Sequence, residues 1–204
     1  ITSVGEAAVS GVALVDTINN LVIQILAALA TGGAVVASQY LGRQERQNAR
    51  MAAKQLVYTV TLFSTLLMAI ALVFCQPLLR FIFGSIEEEV MQNAQTYFWI
   101  CALSYPALAI YNGIAALYRS MGNSKISMLT SLLMNIINIG GNAILIYIFN
   151  WGAAGAATAS LVSRVVSAVV MLGLIRDHRN VIFLDKLLKF EYRPQMVKSI
   201  LKIG

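Results

Sequence analysis

The sequence is poor in charge, histidine, cysteine and proline. Lys, Arg, Asp and Glu make up 12% of its 204 residues, against roughly 25% in a soluble domain. So few charges cannot cover the surface of a soluble fold of this length, and lipid is the expected solvent. The single histidine, His178, lies in a charged stretch, so no zinc or haem ligand set can be assembled and no metal site is expected. The two cysteines, Cys75 and Cys101, lie in or beside apolar runs. They provide no disulfide framework and read as small buried thiols. Intramembrane hydrolases need paired Asp, a Ser/His pair or a His-rich metal site. The apolar segments contain one Asp and no His, so an enzyme is not expected. No basic n-region opens the chain, so no signal peptide is readable. The start at Ile1 and the abrupt end at Ile203-Gly204 suggest a fragment.

What is present is apolar: 58% of the residues are hydrophobic. They fall into segments at residues 7–41, 55–76, 93–117, 126–149 and 154–175. Each reaches the ~20 residues that cross ~30 Å of hydrocarbon. The expected fold is all-α, a polytopic transmembrane helix bundle with five spans. Loop charge alternates. Arg43, Arg46, Arg50 and Lys54, with Glu45, follow the first segment, and Arg80 but also Glu87, Glu88 and Glu89 follow the second. Arg119 and Lys125 follow the third, Asn150-Trp151-Gly152 is uncharged, and the tail from Arg176 is basic again. The positive-inside rule then puts residues 43–54, 119–125 and 176–204 in the cytoplasm and residue 1 outside. An odd number of spans with an outside start implies a further helix before the first, which makes a six-helix lobe. The net charge of +6 is accounted for by basic cytoplasmic loops, so no nucleic-acid partner is expected. Two units follow: transmembrane residues 1–177 and a cytoplasmic amphipathic linker over 178–204. In the linker, apolar residues from Phe183 to Leu201 alternate with lysines, and Pro194 interrupts the run. Such a segment is expected to lie on the inner leaflet with its lysines toward anionic lipid.

Polar groups inside spans are costly, so their positions carry information. Ser127, Ser131, Asn135, Asn138 and Asn142 recur at helical spacing on one face. That stripe either lines a cavity or serves as interhelical hydrogen-bond glue. Asp16, Asn20 and Gln24 are spaced by four and share a face, and Asp16 is the single acidic residue in any span. A charged Asp at a helix centre costs roughly 2.5–3.5 kcal/mol. It therefore faces a wet cavity, is solvated near the outer headgroups, or meets a base. The one deep base is Arg164, roughly 14 Å in from Gly155 and too deep for easy snorkelling. Ser160 accompanies it, and Gly155 to Ser160 is a small-residue surface that lets another helix approach. Pro106 interrupts the third segment, as a hinge or as an ordinary structural kink.

Several runs resemble the multidrug and toxic compound extrusion (MATE) family. The stretch from Gly5 to Gly42, with its Ser38-Gln39 pair and Gly-rich end, is similar to the family's second helix. Arg119-Ser120-Met121-Gly122-Asn123-Ser124-Lys125 resembles the loop after helix four. Asn138-Ile139-Gly140-Gly141-Asn142 and Gly155-Ala156-Ala157-Thr158-Ala159-Ser160 are similar to motifs of helices five and six. The resemblance implies helices two to six of the N-terminal lobe of a twelve-helix transporter, with a C-terminal lobe of the same chain as partner. It implies a secondary active antiporter in a cell membrane, as in a bacterial inner membrane, that exports cationic or aromatic small molecules. The coupling ion would be sodium or a proton, with no other cofactor. The chain departs from the family pattern at two positions. The helix-five carboxylate used in some branches is Asn142, which cannot titrate, and the helix-six Thr is Ser160. The alternative is a lipid-linked saccharide flippase of the same superfamily. A flippase would be expected to carry a more basic cavity than the single Arg164 provides.

Overall fold

A computed structural model describes residues 6–84, 86–184 and 193–203. Among these residues the chain is helical with no strand. Helix α1 (Glu6–Gly42) is followed by α2 (Arg46–Val73), α3 (Cys75–Phe83), α4 (Glu88–Leu103), α5 (Tyr105–Ser120), α6 (Ser124–Asn142), α7 (Gly152–Leu174) and α8 (Pro194–Ile203). A six-residue π-helical stretch, Ala143–Ile148, extends α6. Four helices are long and apolar enough to cross a membrane, and the bent pair α4–α5, taken together as one broken span, is a fifth candidate. The fold is the expected polytopic bundle.

Three boundaries differ from the sequence expectation. The basic segment 46–54 is not a loop but the first turns of α2. Arg, Gln, Met, Ala and Lys are good helix formers, and nothing in 46–54 stops the helix. Ala49, Ala52 and Ala53 are buried there, and the Lys54 ammonium lies 5.9 Å from the Tyr58 ring centre. The third span is two helices meeting at Ser104 with a bend of 46°. Pro106 is not at the break itself but in the first turn of α5, where a missing N–H costs nothing. The third difference is in the tail. Ile182 and Leu184 are buried in the bundle core, and Pro194 opens α8. Met196 and Ile200 of α8 are buried in the same core, against α1 and α2. One apolar stripe of the expected leaflet-lying linker is thus covered by protein, since apolar burial is non-directional and a helix-bundle surface serves it as lipid would. Leu187, Leu188 and Phe190, which also support the linker reading, lie outside the described residues.

Helix α1 is the spine of the bundle and packs on α2, α4, α5 and α8. Its buried residues, from Ala8 through Val12, Val15, Asn19, Leu26 and Leu29 to Val36, recur at helical spacing. Gly11 permits the α1–α4 contact. A Cβ there would lie 2.9 Å from both Ala94 N and Val90 O. Because the obstacle is backbone, Gly11→Ala is expected to destabilise the protein by about 1–3 kcal/mol, the cost of overpacking. A thermal melt unchanged by the substitution would mean that the two helices do not pack this closely.

The interior has two apolar clusters. One, toward the basic-loop end, gathers Leu26, Leu56, Leu108, Tyr118, Met171 and Ile200. The other gathers Val12, Val15, Leu79, Phe98, Tyr105 and Ile146. Between them, near Asn19 and Ser104, lies a polar layer.

Candidate functional site

The polar layer is built by four helices and the break between two of them. Asp16 and Asn19 come from α1. Tyr97 and Cys101 come from α4, Ser104 from the break, Tyr105 from the start of α5, and Arg164 from the middle of α7. Tyr97, Cys101 and Tyr105 stand at intervals of four and point to one side of the broken span. The Tyr97 hydroxyl donates to Asp16 Oδ1 at 2.9 Å. The Tyr105 hydroxyl donates to Asn19 Oδ1 at 2.8 Å. Arg164 Nη1 donates to Ser104 Oγ at 2.6 Å, and that hydroxyl donates to Cys101 O at 2.6 Å. Ser104 therefore satisfies a carbonyl at the helix break and also anchors the deep cation. The hydrogen-bonded Asn19, Ser104 and Tyr105 are buried, whereas Asp16 and Arg164 are half-buried.

Asp16 and Arg164 form no ion pair among the described residues. Each is compensated separately, Asp16 by Tyr97 and Arg164 by Ser104. Among the described residues only Oδ1 of Asp16 is engaged. Its second oxygen is left for a proton, a cation or water. Asn20 and Gln24, expected to share the face of Asp16, are both exposed on the bundle surface. Each four-residue step turns about 40° past a full circle, so the row drifts away from the core. The buried neighbour is Asn19, which the four-residue spacing passes over. Tyr97, Ser104 and Tyr105 were likewise not singled out. Their spacing around Cys101 and before Pro106 is the signal that could have found them.

A second constellation joins α6 to α7. Asn138 Nδ2 donates to Ser160 Oγ at 3.0 Å, and Asn142 Nδ2 donates to Asn138 Oδ1 at 3.1 Å. Asn142 Oδ1 is buried with no hydrogen-bond partner. An unsatisfied buried carbonyl oxygen costs about 1–3 kcal/mol and calls for a donor, an ion or water. Asn142 is also the last residue before the π-helical stretch, and such stretches occur frequently at functional sites. Ser127 is buried and Ser131 half-buried, but Asn135 is exposed. Close approach here depends on small residues. A Cβ on Gly155 would lie 3.2 Å from Leu145 backbone atoms, and one on Gly141 would lie 3.0 Å from Ala159 Cβ. The small-residue surface of α7 therefore faces α6 and its π-helical extension, and Asn138–Ser160 is in part interhelical glue. Among the described residues no group of three or more His, Cys, Asp or Glu side chains converges.

These features define a multi-pass helical membrane protein with charged and amide side chains lodged between its spans. The MatE family model matches residues 1–144, and the chain belongs to that family of multidrug and toxic compound extrusion transporters. The uncharacterized transporter YisQ of Bacillus subtilis is 26% identical over 205 residues, covering 98% of this chain and 44% of its own length. The probable multidrug resistance protein NorM of Streptococcus pneumoniae R6 is 26% identical, covering 96% of this chain and 44% of its own. The chain thus spans less than half the length of these relatives. An inward-facing multidrug resistance MATE family transporter superposes with a TM-score of 0.89 at 22% identity, over 98% of this chain and 45% of that one. A transporter from Pyrococcus furiosus, of the superfamily called MOP, superposes with a TM-score of 0.91 at 21% identity, over 100% and 44%. At that identity the shared property is the fold.

Proposed function

We propose that this chain forms most of the N-terminal lobe of a secondary antiporter that exports drugs or organic cations in exchange for sodium ions or protons. The observation that carries the reading is the match of the whole chain to less than half of a MATE transporter. Alternating access in such a protein needs a second lobe to close the cavity from the other side. The C-terminal lobe is then the principal partner, and the protein resides in a cell membrane.

In this reading Asp16 is the cation-facing group. Tyr97 orients its carboxylate, and the free oxygen meets the substrate's positive charge or a coupling proton. The Ser104 break beside Pro106 provides a flexible joint in the wall that carries Tyr97. Asn138, Asn142 and Ser160 offer neutral oxygens at a second position, suited to a sodium ion or to substrate hydrogen bonding. None of the three can carry a proton. A flippase for lipid-linked saccharides would present cations to a diphosphate, and Arg164 is the one base placed to do so.

Efflux of a fluorescent organic cation from cells making the full transporter tests the proposal. Imposed sodium and pH gradients separate the two couplings. Residues 1–204 alone are expected to give no efflux, and efflux from them would overturn the two-lobe reading. Asn142→Asp adds a titratable group beside Asn138. The expected result is a pH profile of transport that differs from wild type, with Asn142→Ala lowering the rate. Wild-type rates and profiles in both variants would leave the Asn138–Ser160 contact as glue alone.

A further inference from the structure

An apolar groove of about 810 Å³ runs between α2 and α8, at the end of the bundle that carries the basic loops. Its walls include Thr61, Leu62, Thr65 and Leu66 of α2 and Val197 and Leu201 of α8. Leu62 is 74% exposed, Leu66 57% and Leu201 53%, so among the described residues little protein covers these side chains. Thr61 and Thr65 add little polarity to the groove wall, which Thr59 also lines. Thr61 Oγ1 donates to Val57 O at 2.7 Å, and Thr65 Oγ1 donates to Thr61 O at 2.7 Å. With both of these hydroxyls satisfied by their own helix, an occupant need offer no polar group along the stretch from Thr61 to Leu66.

The length of the groove and its charge identify the occupant. From Gln55 to Leu66 the wall rises roughly 16 Å, close to half of the ~30 Å hydrocarbon thickness. The mouth is basic. Lys198 and Lys202 directly follow the lining residues Val197 and Leu201 on α8. Arg193 precedes that helix, and its backbone N–H donates to Oε1 of the lining residue Gln55 at 3.3 Å, which sets the Arg193 backbone beside the rim, while the residue itself lines the neighbouring cavity with Tyr40 and Asn48. Neither α2 nor α8 contains an acidic residue. A slot one leaflet deep, apolar along its wall and cationic at its mouth, matches one molecule: an anionic phospholipid. We propose that this groove is a binding site for an anionic lipid of the leaflet facing the basic loops. An acyl chain lies along Leu62 and Leu66, and the phosphate rests on Arg193, Lys198 and Lys202. The site would tie the α8 helix to the bundle through the lipid.

The test uses the purified protein in detergent, titrated with phosphatidylglycerol, phosphatidylcholine or inorganic phosphate and followed by thermal melting and native mass spectrometry. Phosphatidylglycerol is expected to raise the melting temperature and to bind roughly tenfold more tightly than phosphatidylcholine, since each cation near an anionic headgroup adds attraction. Phosphate alone should do neither. The variant R193Q/K198Q/K202Q, altered only on exposed side chains, should keep its lipid-free melting temperature and lose the preference. Thr65→Trp, which fills the slot, should weaken both lipids. The proposal is overturned by equal binding of the two lipids, by a triple variant that keeps the preference, or by phosphate reproducing the stabilisation. It is equally overturned if a photo-crosslinker at Leu62 captures another segment of protein instead of lipid.

Discussion

Asp16→Asn is expected to lower export at least tenfold while shifting the thermal melt little. The substitution keeps the shape of the side chain and an oxygen for the Tyr97 hydroxyl, which donates to Asp16 Oδ1. What it removes is the negative charge and the proton site. A neutral amide in a span also costs less to bury than a carboxylate, so stability should hold or rise slightly. A tenfold loss corresponds to about 1.4 kcal/mol. That is about a third of the ~4 kcal/mol between unit charges ~4 Å apart at an effective dielectric of ~20. Tyr97→Phe should give a weaker version of the same defect, because the carboxylate remains but loses its orienting donor. Export and melting measured together decide the matter. Loss of stability with unchanged export per folded molecule would make Asp16 a structural residue and sink the cavity role.

Arg164→Leu is expected to destabilise the protein by about 1.5–3 kcal/mol, the usual worth of a hydrogen bond from a charged donor. Its guanidinium connects α7 to the α4–α5 break through Ser104. The defect should therefore include a looser break and slower transport. Adding Asp16→Asn should not rescue it. Were the two residues an ion pair, removing both would restore much of what either single change costs. With separate anchors seven residues apart, on Tyr97 and Ser104, the two effects should add to within about 0.5 kcal/mol. A double variant markedly more stable than Arg164→Leu would show that the charges meet in some populated conformation. Ser104→Ala provides an internal check. It removes the acceptor for Arg164, so it should reproduce part of the Arg164 defect with the charge still present.

The sequence by itself determined the class. Charge scarcity and five apolar runs require a lipid-embedded helical bundle, because only helices satisfy every backbone group of such runs internally. It placed the first, fourth and fifth runs within about two residues of the helices that form there, but began the second nine residues late, because the basic turns of α2 carry no apolar signal. It also marked Asp16, Asn138, Asn142, Ser160 and Arg164, since a polar side chain inside an apolar run stands out without any knowledge of its neighbours. Only the tertiary structure decided what each of them touches. Asn19 and Asn20 are adjacent and chemically identical, yet one is buried on Tyr105 and the other exposed. The 100° turn between them is read against the position of α4 and α5, which no local pattern contains. The same holds for Arg164. Its depth follows from counting residues, but its partner Ser104 lies 60 residues away. That partner is presented by a break whose place depends on how α5 packs. The tail shows the limit from the other side. Its amphipathic pattern fits a lipid surface and a helix-bundle end equally well, because apolar burial is non-directional. The bundle took Met196 and Ile200, and left Val197 and Leu201 at the open groove.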